Sequence, residues 1–310
     1  MIIIGDAKTE LKGLEEKSVN CCVTSPPYFG LRDYGVDGQS GLESTPDEYV
    51  KNLVEVFREV SRVLKDDGTL WLNLGDSYAG NHGHKESSSE KQKSNKGSIK
   101  NDVRNPGPGL KQKDLIGIPW RVAFGLQADG WYLRNDIIWN KPNTMTESVK
   151  DRCTMSHEYF FLLSKSRMYY YDNEAIKEPC VTDPKEKYFE RAKITGRGKQ
   201  SASNARGKDR DKSGGFPIDG TKRNKRSVWT VPTKSYKGAH FATFPPDLIE
   251  PCILAGCPPE GLVLDPFFGS GTVGQVAKEN RRDFIGIELN PEYKPLIDKR
   301  IESAHYQSSF

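Results

Sequence analysis

An α/β fold organised on a largely parallel sheet is the architecture this 310-residue sequence predicts, on three observations. Short apolar runs that suit buried strands alternate with segments of helical periodicity. Two of those runs lead into patterns suited to ligand loops. Residues 19–23 precede Thr24-Ser25-Pro26-Pro27-Tyr28, and residues 261–264 precede Asp265-Pro266-Phe267-Phe268-Gly269-Ser270-Gly271-Thr272. The glycine-rich loop, which usually opens a nucleotide-binding unit, comes with fewer than forty residues left. Either it is a decoy, or the fold is cyclically rearranged and its two ends complete one sheet.

Residues 2–4 read as a short buried strand ending at Gly5-Asp6, and residues 11–14 as a short helix. Residues 19–23 form the next strand. Thr45-Pro46-Asp47-Glu48 reads as a helix start, with Thr45 as N-cap, Pro46 in the first turn and Glu48 closing a capping box. Tyr49, Leu53, Val56, Phe57, Val60, Val63 and Leu64 then recur at helical spacing. Asp66-Asp67-Gly68 predicts a turn and residues 69–74 a strand. Residues 80–109 show no core-forming period. A helix is expected over 118–129, strands over 131–139 and 159–163, and loop with local helix over 141–157. Residues 168–171 are expected to pair with 159–163 as a hairpin. The final segments read as helix 246–255, strand 261–264, helix 272–279 and strand 284–287.

Composition narrows the function classes. The hydrophobic fraction of 35% leaves room for one substantial core with much loop around it. No run of eighteen apolar residues exists to span a membrane, and the start Met1-Ile2-Ile3-Ile4 lacks a basic leader, so a cytoplasmic location is expected. The six cysteines show no CxxC pairing, which argues against a zinc site or disulfide framework. The net charge of +4 is uneven: residues 172–240 hold 17 Lys/Arg against 9 Asp/Glu, and residues 80–113 hold eight against three. Basic stretches of this kind suit a polyanion partner.

Gly269-Ser270-Gly271-Thr272-Val273-Gly274 satisfies GxGxxG, and Glu288 ends the following strand. That is the outline of a dinucleotide site, with an acid for the ribose hydroxyls. NAD nevertheless fits poorly. Too little chain remains for its further strands, and Asp265 at the strand end suits a cationic ligand better than a pyrophosphate. S-adenosylmethionine (AdoMet), with an ammonium and a sulfonium and no phosphate, satisfies this charge logic. Ser25-Pro26-Pro27-Tyr28 joins a hydroxyl, a stiff backbone and an aromatic face. Tyr28 can stack on a planar base while Ser25 and a proline carbonyl accept hydrogen bonds from its exocyclic amine.

With both motifs in view, the sequence resembles the permuted, beta-class amino-group DNA methyltransferases, most closely the N4-cytosine-specific enzymes of type II restriction-modification systems. Thr24-Ser25-Pro26-Pro27-Tyr28 matches their catalytic loop and Asp265 to Thr272 their AdoMet loop. Glu288 matches their ribose-binding acid and Asp6 the acid that approaches the adenine. His240-Phe241-Ala242-Thr243-Phe244-Pro245 matches the segment before the cofactor strand, where Phe244 and Pro245 line the methionine side. Residues 69–73 and Ser156-His157-Glu158-Tyr159 resemble secondary motifs.

The resemblance implies a seven-stranded, cyclically permuted AdoMet-dependent fold. Residues 1–171 would form its catalytic part, 172–238 an inserted target-recognition region and 239–310 its cofactor-binding part. It further implies Ser25, Pro26, Pro27 and Tyr28 as catalytic residues acting on a flipped base. Asp6, Thr24, Phe244, Pro245, Asp265, Pro266, Phe267, Gly269, Ser270, Gly271, Thr272 and Glu288 would bind the cofactor, with Gly271 keeping the backbone close to it. Double-stranded DNA is the implied substrate, and a cognate restriction endonuclease and a homodimer are implied partners. Ser25, where adenine-specific relatives commonly carry Asp, favours cytosine N4, with adenine N6 the alternative. Cys180 and Cys252 both follow proline, as in cysteine-based C5 methylation, yet one lies in the basic insertion and the other in a helical apolar pattern. The sulfonium donor is already activated, so no metal and no covalent enzyme intermediate is expected.

Overall fold

The computed structural model describes residues 1–80, 109–180, 222–234 and 244–305. Most of both basic stretches, and the 240–243 part of the matched segment before the cofactor strand, lie outside the described residues. The chain forms two compact units: Met1–Asp172 with Ser227–Phe310, and Asn173–Arg226.

In chain order the strands are β1 (Ile2–Ile4), β2 (Val19–Thr24), β3 (Leu64–Leu74), β4 (Tyr132–Asn140), β5 (His157–Ser164), β6 (Glu178–Pro179), β7 (Lys222–Arg223), β8 (Val228–Thr230), β9 (Leu262–Asp265) and β10 (Asp283–Glu288). The helices are α1 (Ala7–Glu10), α2 (Pro46–Val63), α3 (Ile118–Ala128), α4 (Pro246–Gly256), α5 (Thr272–Glu279) and α6 (Lys294–Ser303). The larger unit is built on one eight-stranded sheet of order β1-β10-β9-β2-β3-β5-β4-β8. Only β5 runs against its neighbours β3 and β4; the other pairs are parallel. The smaller unit contains the β6–β7 antiparallel pair, where Glu178 accepts from Arg223 and Arg226 at 2.8 and 2.7 Å.

Local chemistry explains α2. Thr45 accepts from the Glu48 amide at 3.2 Å, and Pro46 occupies the first turn. The Glu48 carboxylate turns to the amide and hydroxyl of Ser44, at 3.2 and 2.8 Å, so the reciprocal half of the expected box closes one residue early. Tyr49, Leu53, Val56, Phe57, Val60 and Val63 form the buried stripe, each burial contributing about 1.5–3 kcal/mol for a large side chain. They pack with Leu70, Leu72 and Leu74 of β3 and with Val122 and Leu126 of α3 in one core.

Four sequence expectations are corrected. Asp66-Asp67-Gly68 does not separate helix from strand but lies inside β3. Val19 pairs with Leu64 and Cys21 with Thr69, so the intervening residues bulge out of register. Residues 168–171 form no strand; the Tyr170 amide instead donates to the Asp67 carbonyl at 2.9 Å. No helix forms between Lys141 and Ser156. Val228–Thr230, expected within the recognition insertion, pairs with β4 and gives the sheet an eighth strand beside the seven expected.

The central pair, β2 and β9, places the two motif-bearing strand ends side by side. From β2 the chain crosses through α2 to β3 on one side, and from β9 through α5 to β10 on the other. Such a switch point opens a crevice at the carboxyl ends of the strands. Among the described residues, no helix is long and apolar enough to cross a membrane.

Candidate active site

Thr24, the last residue of β2, is fully buried and donates through its hydroxyl to Asp265 Oδ1, the last residue of β9, at 2.6 Å. The same carboxylate oxygen accepts from the Phe267 amide at 3.0 Å, which starts the turn out of β9. Burial pushes the Asp265 carboxyl up to about 7, against the hydrogen bonds from Thr24 and Phe267. Glu288, at the end of β10, accepts from the Gly269 amide at 2.7 Å through one oxygen and from the Asn290 amide at 2.8 Å through the other. Burial raises its carboxyl too, opposed by those same amides. Two desolvated carboxyl groups therefore face one end of the crevice.

At the other end, the Pro27 carbonyl accepts from the buried Tyr49 hydroxyl at 2.8 Å, which ties the Ser25–Tyr28 loop to α2. The Tyr28 hydroxyl lies 2.7 Å from Glu158 Oε2 and 3.0 Å from Asn73 Oδ1. Ser25 Oγ lies 3.3 Å from Asn73 Oδ1 and 3.4 Å from the Tyr28 hydroxyl. Asn73 Nδ2 donates to the Tyr159 carbonyl at 3.0 Å. Lys141 pairs with Glu158 Oε1, and its ammonium sits 4.2 Å from the Trp139 ring centre. Burial, reinforced by the Glu158 charge, raises the Tyr28 phenol well above its ordinary value, so it is protonated. Gly75 packs against this ring, where a Cβ would lie 2.5 Å from Tyr28 Cε2. Gly75→Ala is therefore expected to push the ring aside, lowering activity about tenfold and the unfolding temperature by a few degrees through overpacking; activity and a thermal melt on one preparation check this.

Both ends belong to one cleft of about 860 Å³, within the range of small-molecule and cofactor sites. Ser25, Pro26, Pro27 and Tyr28 line it, as do Asp6, Phe244, Asp265, Pro266 and Phe267. So do Gly269, Ser270, Thr272 and Glu288. Asp6 has a local task as well, capping α1 by accepting from the Thr9 amide and hydroxyl at 3.0 and 2.9 Å. Thr24, Pro245 and Gly271 are not on the cleft surface. Thr24 reaches the cleft wall only by its bond to Asp265, and Pro245 is buried at the start of α4.

Gly271 has φ +82°, and a Cβ there would meet Ile297 Cγ2 at 3.3 Å rather than a ligand. Gly269, with φ +52° and no nearer atom than the Phe267 carbonyl at 4.0 Å, is the glycine that keeps the backbone bare toward the cleft. Gly271→Val is accordingly expected to lower the unfolding temperature by several degrees through left-handed backbone strain and overpacking. A melting curve matching wild type, with weakened cofactor binding, would restore the crowding role first expected.

Several residues in or behind the cleft carry no sequence signal of their own. Arg300 of α6 is buried and donates to the Ser270 carbonyl and hydroxyl at 3.2 and 2.6 Å and to the Thr272 hydroxyl. It holds the glycine loop from beneath. Lys141 and Trp139 line the cleft from β4 and the residue after it, and Tyr34 from the loop after Tyr28. Glu158 and Asn73 fell in segments resembling secondary motifs, but without a role. Among the described residues, no cluster of three or more His, Cys, Asp or Glu is placed to hold a metal.

Known proteins resemble this chain in sequence and in fold. The chain is 51% identical to the Type II methyltransferase M.SmaI of Serratia marcescens over 97% of its own length and 90% of the relative's. It is 50% identical to the Type II methyltransferase M.Cfr9I of Citrobacter freundii over 96% and 86%. Among solved structures, the PvuII DNA methyltransferase (cytosine-N4-specific) superposes with a TM-score of 0.63 at 20% identity, covering 97% of this chain and 85% of that one. The S-adenosyl-L-methionine complex of a Thermus thermophilus protein, assigned as a DNA modification methylase, gives 0.56 at 21% identity, covering 97% and 93%. The N6/N4 DNA methylase profile matches residues 19–299. With its Ser25–Tyr28 and Asp265–Thr272 loops meeting in one cleft, the chain belongs to that DNA methylase family.

Proposed function

We infer that the protein is a site-specific DNA methyltransferase that moves a methyl group from AdoMet to the N4 amine of cytosine in double-stranded DNA. The observation that carries this reading is the shared cleft, with a carboxylate pair at one end and the Ser25–Tyr28 loop at the other. AdoMet supplies a methyl group already activated on a sulfonium. The residues present fit it: Asp265 and Glu288 are desolvated acids suited to a cationic, hydroxyl-bearing ligand, and Gly269 leaves room for close approach. Glu288 would accept from the ribose hydroxyls, Asp6 would face the adenine, and Phe244 would pack on the methionine side. Ser25 Oγ and the Pro26 carbonyl would hold the amine and Tyr28 would pack on the flipped base. The engagement of the Pro27 carbonyl by Tyr49 supports Pro26 as the carbonyl offered.

Ser25 and the cytosine-N4 specificity named for the PvuII enzyme favour cytosine over adenine. C5 chemistry is poorly supported, since Cys252 is buried in α4 and neither it nor Cys180 lines the cleft. We assign target recognition to residues 172–238, on their charge, and propose a cytoplasmic enzyme with a restriction endonuclease of the same site as partner and a homodimeric state. Incubation with methyl-labelled AdoMet and unmodified mixed-sequence duplex DNA, followed by nucleoside analysis, is expected to yield N4-methylcytosine. N6-methyladenine would select the adenine reading, and 5-methylcytosine would overturn amino transfer.

The acid beneath the cofactor gives a pH signature. Burial raises Asp265 from 3.8 to about 7, so its contribution to the stability of the unliganded protein is present below pH 4 and lost as pH rises through 7. A cationic ligand favours the ionised form, so AdoMet affinity is expected to rise with pH through about 7. Asp265→Asn should flatten that step. Calorimetric titrations from pH 5.5 to 8.5 measure it, and an identical slope in the variant would remove Asp265 from the account.

A further inference from the structure

Glu158 is acceptor-only when ionised, and the Lys141 ammonium is paired with it; the two side chains are each 15% exposed. The Tyr28 hydroxyl, 2.7 Å from Glu158 Oε2, must then donate to it. That leaves the Tyr28 oxygen as an acceptor toward Ser25. Asn73 Nδ2 donates to the Tyr159 carbonyl at 3.0 Å and also reaches Glu158 Oε2 at 3.3 Å; the shorter bond, to the carbonyl, holds the amide with Oδ1 toward Ser25 and Tyr28 whatever stands at 158. Both neighbours of Ser25 Oγ are therefore acceptors. Ser25 must give its single proton to one of them, which leaves its lone pairs for the cleft.

We propose that Glu158, held by Lys141, is a positioning residue that sets the direction of this hydrogen-bond chain, so that Ser25 faces the substrate amine as an acceptor. The proposal rests on the amino-transfer reading and adds its polarity switch. A serine hydroxyl can point either way; facing an amine as a donor, it would compete for the lone pair that must attack the methyl group. The ion pair removes that freedom through Tyr28.

A double-mutant cycle tests this on the full-length protein, with methyl-labelled AdoMet and unmodified mixed-sequence duplex DNA. Glu158→Gln is nearly isosteric, but its amide can donate to the Tyr28 oxygen and free the phenol proton to turn toward Asn73 and Ser25. It is expected to lower kcat about 30-fold while KM for AdoMet and for DNA stays within about twofold. Tyr28→Phe removes the group that transmits the reversal and leaves Ser25 donating to Asn73. In that background Glu158→Gln should cost no more than about threefold. A merely structural Glu158 would give the same loss in both backgrounds, and that result overturns the proposal, as does wild-type kcat in Glu158→Gln or a loss confined to KM. Should Glu158→Gln fail to fold, Lys141→Met enters the same cycle with the same expected suppression by Tyr28→Phe. Product analysis on the wild-type enzyme reports separately on the reading beneath: a product other than an N-methylated base refutes amino transfer, whereas N4-methylcytosine without coupling refutes only the role of Glu158.

Discussion

Tyr28→Ala is expected to slow single-turnover methyl transfer by about 100-fold or more, while AdoMet binds within about twofold of wild type. The ring is half-buried and tethered at its hydroxyl, and its edge rests against Gly75, which has no side chain to fill the gap left by alanine. Stacking on a base is worth about 1–3 kcal/mol, and losing alignment of the amine adds a further penalty that reaches about 100-fold for small misplacements. Asp265 and Glu288, proposed to hold the cofactor, lie at the opposite end of the cleft and keep their own partners, which is why donor affinity is expected to be spared. Rapid-quench assays with labelled AdoMet and equilibrium titration of the same variant separate the two quantities. Wild-type transfer kinetics would remove Tyr28 from the base.

The second large effect is expected at the donor end. Glu288→Ala should raise the AdoMet Kd about 100-fold and leave the DNA KM near its wild-type value. The substitution removes the carboxylate and also strands the Gly269 and Asn290 amides, which donate to it at 2.7 and 2.8 Å. Hydrogen bonds to charged groups contribute about 1.5–3 kcal/mol each, and each 1.4 kcal/mol is about tenfold in affinity. Loss of the ribose contacts together with loosening of the Gly269 turn reaches that size. Isothermal titration measures it, and a change below about threefold would show that Glu288 serves the loop alone.

Features governed by neighbours in sequence were legible before the structure. The α2 stripe follows from 3.6-residue periodicity and a Thr-Pro start, and the end of β9 from an apolar run closed by Asp265-Pro266. Features that depend on strand pairing were not. Glu158 meets Trp139 across β4 and β5, and Asn73 lies opposite Phe160 across β3 and β5. Those registers alone gather Asn73, Lys141 and Glu158 around Tyr28. Three residues of β8 are too few to display a strand period, and Asp66-Asp67-Gly68 has turn chemistry whether it ends an element or bulges within one. The exchange of roles between Gly269 and Gly271 is set by which backbone faces the cleft, which spacing does not encode.

The 2.6 Å bond between Thr24 and Asp265 spans 241 positions of sequence. A ribosome adding about 5–20 residues per second needs on the order of 10–50 s to pass from one of these residues to the other. Through that interval β2 and its neighbour β3 have emerged without β9, which flanks β2 on the other side, and the cleft is incomplete. The nascent chain thus carries its Ser25–Tyr28 loop well before Asp265 and Glu288 exist to form the other end of the cleft. The cleft can be completed only once β9 and β10 have been made, because they join β1 to β2 in the sheet.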